Sequence, residues 1–134
     1  MAVRYLLDTN ICIYIAQHNP PHVRERFARH TADELVMSVI TLGELRFGAE
    51  KSQSRDRAVA VINQLESVIQ IAPLTGVVGE HYGQIRAALQ KSGQLLGNND
   101  LWLAAHARAE GWILVTNNER EFVHVDGLQI ENWC

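Results

Sequence analysis

Apolar residues fall along this chain in short runs and helical stripes that take turns. Residues 3–7 (VRYLL) make a brief apolar run, interrupted by Arg4 and closed by Asp8, which predicts a short buried strand. In residues 9–17 (TNICIYIAQ) the apolar positions Ile11, Tyr14 and Ile15 switch to helical spacing. Asn19-Pro20-Pro21 breaks that helix, and Pro21 opens another with Val23 and Phe27 on one face. Residues 34–40 (ELVMSVI) predict a second strand and residues 41–50 a helix that ends near Gly48. Past a polar patch, Ala58, Val61, Ile62, Leu65 and Ile69 mark a longer helix, and residues 69–74 (IQIAPL) a short edge segment. Residues 77–93 predict a long helix that stops at Gly93. A turn over 95–100 starts the next helix, which runs to Gly111. Residues 112–116 (WILVT) predict a third clear strand, 117–122 a turn or short helix, and 128–130 a last strand. Strands alternating with helices from end to end predict an α/β sandwich around a mostly parallel sheet.

At 134 residues the chain has room for one core, so a single domain over 1–134 is expected. Hydrophobic residues make up 47% and charged residues 20%, an ordinary globular balance. The net charge of -3 gives no bulk attraction to nucleic acid, so an RNA substrate would need local cations or bound metal. Cys12 and Cys134 form no CxxC pair, and a reduced intracellular protein is the simpler expectation. The run at 3–7 is too short for a signal peptide, and no run approaches a membrane span. A cytoplasmic location is expected.

The chemistry concentrates at strand ends. In open α/β sheets, sites form at the carboxyl ends of parallel strands. The first strand ends on Asp8, and 112–116 ends on Asn117 and Asn118. Glu44 starts the helix after the second strand, Asp100 lies in the first turn after Gly97-Asn98-Asn99, and Glu121 follows the third strand closely. Four carboxylates can therefore meet in one cleft. Their repulsion raises their pKa values unless a cation neutralises them. An all-oxygen set suits Mg²⁺ or Mn²⁺ rather than zinc, and such an ion supports phosphodiester hydrolysis.

Each acid also has a structural role open to it. Asp8 could cap the helix at 9–17. Thr41-Leu42-Gly43-Glu44 matches a capping box. Asp100 suits a helix dipole, with Asn98 or Asn99 as the cap, and Glu121 suits a solvated turn. The six histidines show no metal-binding spacing; His81 and His106 are expected partly exposed or packed in helices. Trp102, Trp112 and Trp133 are expected in the core or an interface, and Arg24, Arg26 and Arg29 on a solvated helix face.

Four blocks resemble one known family. LLDTNICIY at the start, SVITLGELRFGAEKS at 38–52, YGQIRAALQKSGQLLGNNDLWLAAHA at 82–107 and WILVTNNEREFVHVDGLQIENW at 112–133 are similar to the PIN-domain toxins of bacterial type II toxin–antitoxin systems, the VapC family. The resemblance implies a three-layer α/β/α sandwich with a central parallel sheet. It implies a magnesium-dependent endoribonuclease that stops translation by cutting RNA, with tRNA the favoured target and Mn²⁺ able to substitute for Mg²⁺. Asp8 falls on the family's first metal-binding acid, Glu44 on the acid of its xxEL motif, and Asp100 on the acid of its ND motif. The fourth position departs from the pattern. Where many PIN domains carry an acid after the last long strand, this chain has Thr116-Asn117-Asn118, so Glu121, Asn117 and Asn118 stand as alternatives. The family implies a VapB-type antitoxin as partner and a homodimer, with the apolar helices 9–17 and 41–47 offering surface to either.

Two other classes compete. A strand ending on Asp is shared with phosphatases and phosphotransferases that use an aspartyl nucleophile, but those need a second acid two residues on, where Asn10 stands. A non-catalytic module that keeps the fold is the other, and the intact Asp8, Glu44 and Asp100 speak against it.

Overall fold

The computed structural model describes residues 3–134. Its five strands are β1 (Tyr5–Leu7), β2 (Leu35–Ser38), β3 (Gln70–Ala72), β4 (Ile113–Val115) and β5 (Ile130–Glu131). They form one parallel sheet in the order β3-β2-β1-β4-β5. Leu6 pairs with Val36 on one side and Leu114 on the other, which makes β1 the central strand. The chain builds outward from β1 through β2 to β3, then crosses back to add β4 and β5. The crossing point lies between β1 and β4, and it is at such reversals that open α/β sheets leave a crevice beyond their strand ends.

Among the described residues, seven α-helices flank the sheet: α1 (Thr9–Gln17), α2 (Pro21–Ala28), α3 (Val39–Glu50), α4 (Arg55–Val68), α5 (Gly76–Lys91), α6 (Asn98–Glu110) and α7 (Glu119–Phe122). Because side chains alternate across a strand, Leu6 and Leu7 enter different layers. Leu6, Val36 and Leu114 pack with Val78, Ile85, Leu101 and Phe122 from α5, α6 and α7. Leu7, Met37 and Val115 pack with Ile11, Ile15, Val23 and Leu65 from α1, α2 and α4. The expected three-layer α/β/α sandwich is therefore present. No described helix is long and apolar enough to cross a membrane.

The elements differ from the sequence pattern mainly at their edges. The first strand is shorter than 3–7, and the last lies at Ile130–Glu131 rather than 128–130. The main correction falls between β2 and α3. Val39 and Ile40 belong to the helix, whose N-cap is Ser38; its hydroxyl accepts a hydrogen bond from the Ile40 amide at 3.1 Å. The capping box at Thr41 does not form. Thr41 is instead buried within the first turn, and its hydroxyl has no hydrogen-bond partner. Apolar residues at a fully buried junction read equally well as strand or helix, so their spacing could not locate the change. At α6 the cap is Gly97, not Asn98 or Asn99, which both lie inside the helix. Gly111, with φ 74°, ends that helix in a left-handed turn.

Ser38 has a second partner. Its Oγ lies 2.9 Å from Nδ1 of His106, and both residues are fully buried. Oγ also accepts from the Ile40 amide, so one hydroxyl serves both the helix cap and the His106 ring. Burial holds the His106 pKa below its ordinary value. His106 is thus more enclosed than its sequence suggests, and the hydrogen bond ties the start of α3 to the middle of α6. Ser38→Ala removes the cap and leaves His106 without this partner. It should lower unfolding free energy by about 2 kcal/mol, measured from the urea midpoint at constant slope. A loss below about 0.5 kcal/mol would assign the α3–α6 contact to apolar packing alone.

Candidate active site

Asp8 follows β1 directly. Its amide donates to the Val115 carbonyl at 3.1 Å, which continues the β1–β4 ladder for one more residue. Its Oδ1 accepts from the Ile11 amide at 2.9 Å and so caps α1. The capping role expected for Asp8 is therefore real, but it engages one oxygen of a carboxylate that has several acceptor sites. Asp8 is buried, and burial raises its pKa; the Thr116 hydroxyl and the Ile11 amide pull it back, while the charge of Glu44 adds to the rise.

Glu44 comes from the second turn of α3, not its cap. Its Oε1 accepts from the Thr9 hydroxyl at 2.9 Å. Thr9 is the residue after Asp8, so one hydrogen bond sets the Glu44 carboxylate beside the end of β1. Asp100 is the third residue of α6. Its pKa is raised to about 6 by burial first, then by the charges of Glu44, Asp8 and Glu121. Acids far apart in sequence thus lie near enough to Asp100 for their charges to add to the effect of burial.

Asp8, Thr9, Asn10, Glu44, Asp100 and Asn118 line one cleft of about 240 Å³, floored by Leu103 and Phe122. The three asparagine and glutamate alternatives for the fourth position separate here. Asn118 lines the cleft, and its Nδ2 donates to Glu121 Oε2 at 3.0 Å. Glu121 is exposed at the rim, close enough for its charge to reach Asp100. Asn117 turns the other way and donates to the Tyr14 hydroxyl at 3.0 Å. The Asn118 amide donates to the buried Thr116 hydroxyl at 3.0 Å, which fixes the loop that carries both side chains. Thr9 and Thr116 support the site in a way that residue spacing does not reveal. Their positions beside Asp8 and at the end of the third strand were visible, but their partners were not.

The cleft has carboxylate, amide and hydroxyl oxygens and no histidine or cysteine on its wall. That donor set fits a hard divalent cation such as Mg²⁺ or Mn²⁺. Among the described residues no three His, Cys, Asp or Glu side chains are close enough to enclose an ion as they stand. The fit therefore rests on donor chemistry and on mutual repulsion, which a cation between the acids would relieve.

Outside the cleft, Trp133 is buried, and Trp102 and Trp112 are partly buried against their core cluster. The arginines of α2 are more engaged than expected of a solvated face. Arg26 pairs with Glu131 at 2.9 Å and Arg24 donates to the Ile15 carbonyl at 3.1 Å.

Comparisons with known proteins bear on the family and the fold. The PIN domain family model matches residues 5–128. Ribonuclease VapC2 of Haemophilus influenzae is 45% identical over 131 residues, covering 98% of each chain. The tRNA(fMet)-specific endonuclease VapC of Shigella flexneri is 44% identical over 131 residues, also covering 98% of each. A chain of the crystal structure of DNA-bound VapBC from Salmonella typhimurium superposes with a TM-score of 0.93 at 41% identity, over 98% of this chain and 99% of that one.

The raised Asp100 pKa sets a pH test. A carboxyl whose folded pKa lies above its unfolded value favours folding at low pH, and that advantage is lost as pH rises through the folded value. Ion-free protein should therefore lose stability between about pH 4 and pH 7. Asp100→Asn should stabilise ion-free protein at pH 7 by about 1 kcal/mol after solvent screening, and by little at pH 4. Paired urea titrations at the two pH values measure this; an equal effect at both would remove charge repulsion as the cause.

Proposed function

The chain belongs to the PIN-domain family, in its VapC ribonuclease branch, and from that premise we propose a Mg²⁺-dependent endoribonuclease that cuts tRNA as the toxin of a toxin–antitoxin pair. The observation that carries the site assignment is the single cleft shared by Asp8, Glu44 and Asp100, with both aspartates raised in pKa. These three would hold the cation, and Glu121, held by Asn118, would be the outer acid. The chain forms one catalytic domain over 1–134 and acts in the cytoplasm as a homodimer.

A Mg²⁺ held by Asp8, Glu44 and Asp100 would supply Lewis-acid chemistry, making water more acidic and offsetting phosphate charge. Mn²⁺ can take the same place. The chain's own residues supply position. Asp8 is fixed by its cap bond, Glu44 by Thr9, and Asp100 by its place in the first turn of α6. Phe122 and Leu103 add apolar surface to the cleft wall. Net hydrolysis adds one water across a phosphodiester and breaks one P–O bond, with the water's protons shared between the departing oxygen and solvent. The tRNA preference rests on the Shigella flexneri relative, whose name specifies tRNA(fMet). The aspartyl-phosphate reading and the inactive-module reading give way to membership of a ribonuclease family.

The partner is a VapB-type antitoxin, as in the VapBC neighbours. A mainly apolar groove of about 480 Å³ runs between α1, α3 and α4, past Ile13, Ala16, Leu45 and Val61, and reaches Thr9 and Glu44 at one end. An apolar antitoxin segment laid in it would end at the catalytic cleft and close it. Both helices expected to offer surface, 9–17 and 41–47, contribute to this groove.

Antitoxin-free protein should cleave tRNA with Mg²⁺ and stop with EDTA. Asn caps helices as well as Asp does, so Asp8→Asn should keep stability within about 1 kcal/mol while lowering cleavage at least about a hundredfold. Cleavage that survives EDTA or this substitution would overturn the assignment. In binding assays with the antitoxin, Val61→Asp should weaken the complex at least about tenfold, by placing a charge in an apolar interface, and leave cleavage by the free protein unchanged. Undiminished antitoxin affinity would place the partner elsewhere.

A further inference from the structure

The catalytic cleft presents a difficulty to its own substrate. Its carboxylates repel the phosphates on either side of the bond to be cut, and the net charge of -3 gives no general attraction. RNA held there needs a cation beside the cleft. Many of the chain's cations are already engaged. Arg26, Arg46 and Arg55 pair with carboxylates, and Arg108 donates to His81, Gln84 and the Asp126 carbonyl.

Arg86 differs in its surroundings. It is exposed on α5, and among the described residues it pairs with no carboxylate. One Nη donates to the Tyr82 hydroxyl at 2.9 Å, and that hydroxyl donates to Asn98 Oδ1 at 2.6 Å. Asn98 is two residues from Asp100. The Tyr82 ring lies flat on Trp102 of α6, with centroids 4.0 Å apart and planes 18° from parallel. A guanidinium is thereby anchored to the turn that presents a catalytic acid, with its remaining donors uncommitted.

Beside this chain of contacts lies a second cleft, of about 190 Å³. Arg86, Gln90, Gln94, Leu95, Asn98 and Leu101 are among its walls. Leu95 is 91% exposed, so it adds nothing to the core. An arginine with free donors, amides able to meet base edges and a bare apolar side chain form a set that suits one unstacked nucleotide of single-stranded RNA.

We infer that this cleft, between the second half of α5 and residues 94–98, holds the RNA nucleotide next to the one cut, with Arg86 on its phosphate and Leu95 against its base or ribose. The inference rests on the ribonuclease reading above and adds a substrate-positioning subsite to it. Arg86 acts on binding, not on the reacting atoms.

Steady-state cleavage of tRNA with Mg²⁺ tests it, at several salt concentrations. R86A should raise KM about tenfold, leave kcat within about twofold, and reduce the slope of log KM against log salt by about 0.7. R86K should keep the salt slope but not the full affinity, because lysine retains the charge without the fork. L95S should raise KM at unchanged salt slope. R29A is the control for charge alone. Arg29 precedes His30, whose ring packs on Tyr5 at the start of β1, the end of the sheet away from Asp8. An R86A protein with the KM and salt slope of R29A would overturn the inference, as would a fall in kcat at constant KM. A change in self-association at unchanged KM would assign the cleft to a contact between copies and overturn it too. If wild-type protein cleaves no RNA, the ribonuclease reading itself fails; if wild type cleaves and R86A matches it, only the subsite falls.

Discussion

Like charges drawn to one place govern this structure. Asp8, Glu44, Asp100 and Glu121 approach closely enough that burial and their mutual repulsion lift Asp100 to about 6. Such an arrangement opposes folding, and it persists only because the surrounding fold holds it. The parallel sheet provides the first constraint. It brings the carboxyl ends of β1, β2 and β4 to one edge, and the reversal of strand order between β1 and β4 leaves that edge open. The acids occupy the opening because each follows a strand or begins a helix there.

Short polar contacts then set each acid in place. Thr9 holds Glu44, Asn118 holds Glu121, and the Ile11 amide holds Asp8. One layer further in, Ser38 and His106 join the two helices that carry Glu44 and Asp100. These supports come from the same loops and helix starts as the acids themselves, so positioning needs few additional residues. The cap bond of Asp8 illustrates the economy: a structural contact to one oxygen fixes the orientation of a group whose remaining acceptor sites serve the cleft. Structural and functional explanations of Asp8 are therefore complementary.

The surface around the cleft divides in the same way. On the α1, α3 and α4 side the approach is an apolar groove that ends at Thr9 and Glu44. On the α5 and α6 side it is a smaller cleft with Arg86 and two glutamines on its walls. Apolar protein surface suits the first and a phosphodiester strand the second. With an antitoxin in the first and RNA in the second, inhibitor and substrate would reach the same acids from different sides, each recognised by its own chemistry.

Much of this was legible in the order of residues. Alternating apolar runs and helical stripes located the α/β layers, because side-chain periodicity follows directly from strand and helix geometry. Asp8, Glu44 and Asp100 stood out because each lies where a strand gives way to a helix, and LLDTNICIY tied the first to a family. The end of β2 was not legible, since Ser38, Val39 and Ile40 are compatible with either element until the buried partner His106 is known. Nor could spacing rank Asn117, Asn118 and Glu121. Their roles depend on which way each side chain turns, and that was decided by Tyr14, Thr116 and the cleft itself. Local pattern determined which elements form and which residues sit at their ends. Only the tertiary structure decided which of those ends meet, because hydrogen bonds and charge repulsion between residues distant in sequence act over a few ångströms of space.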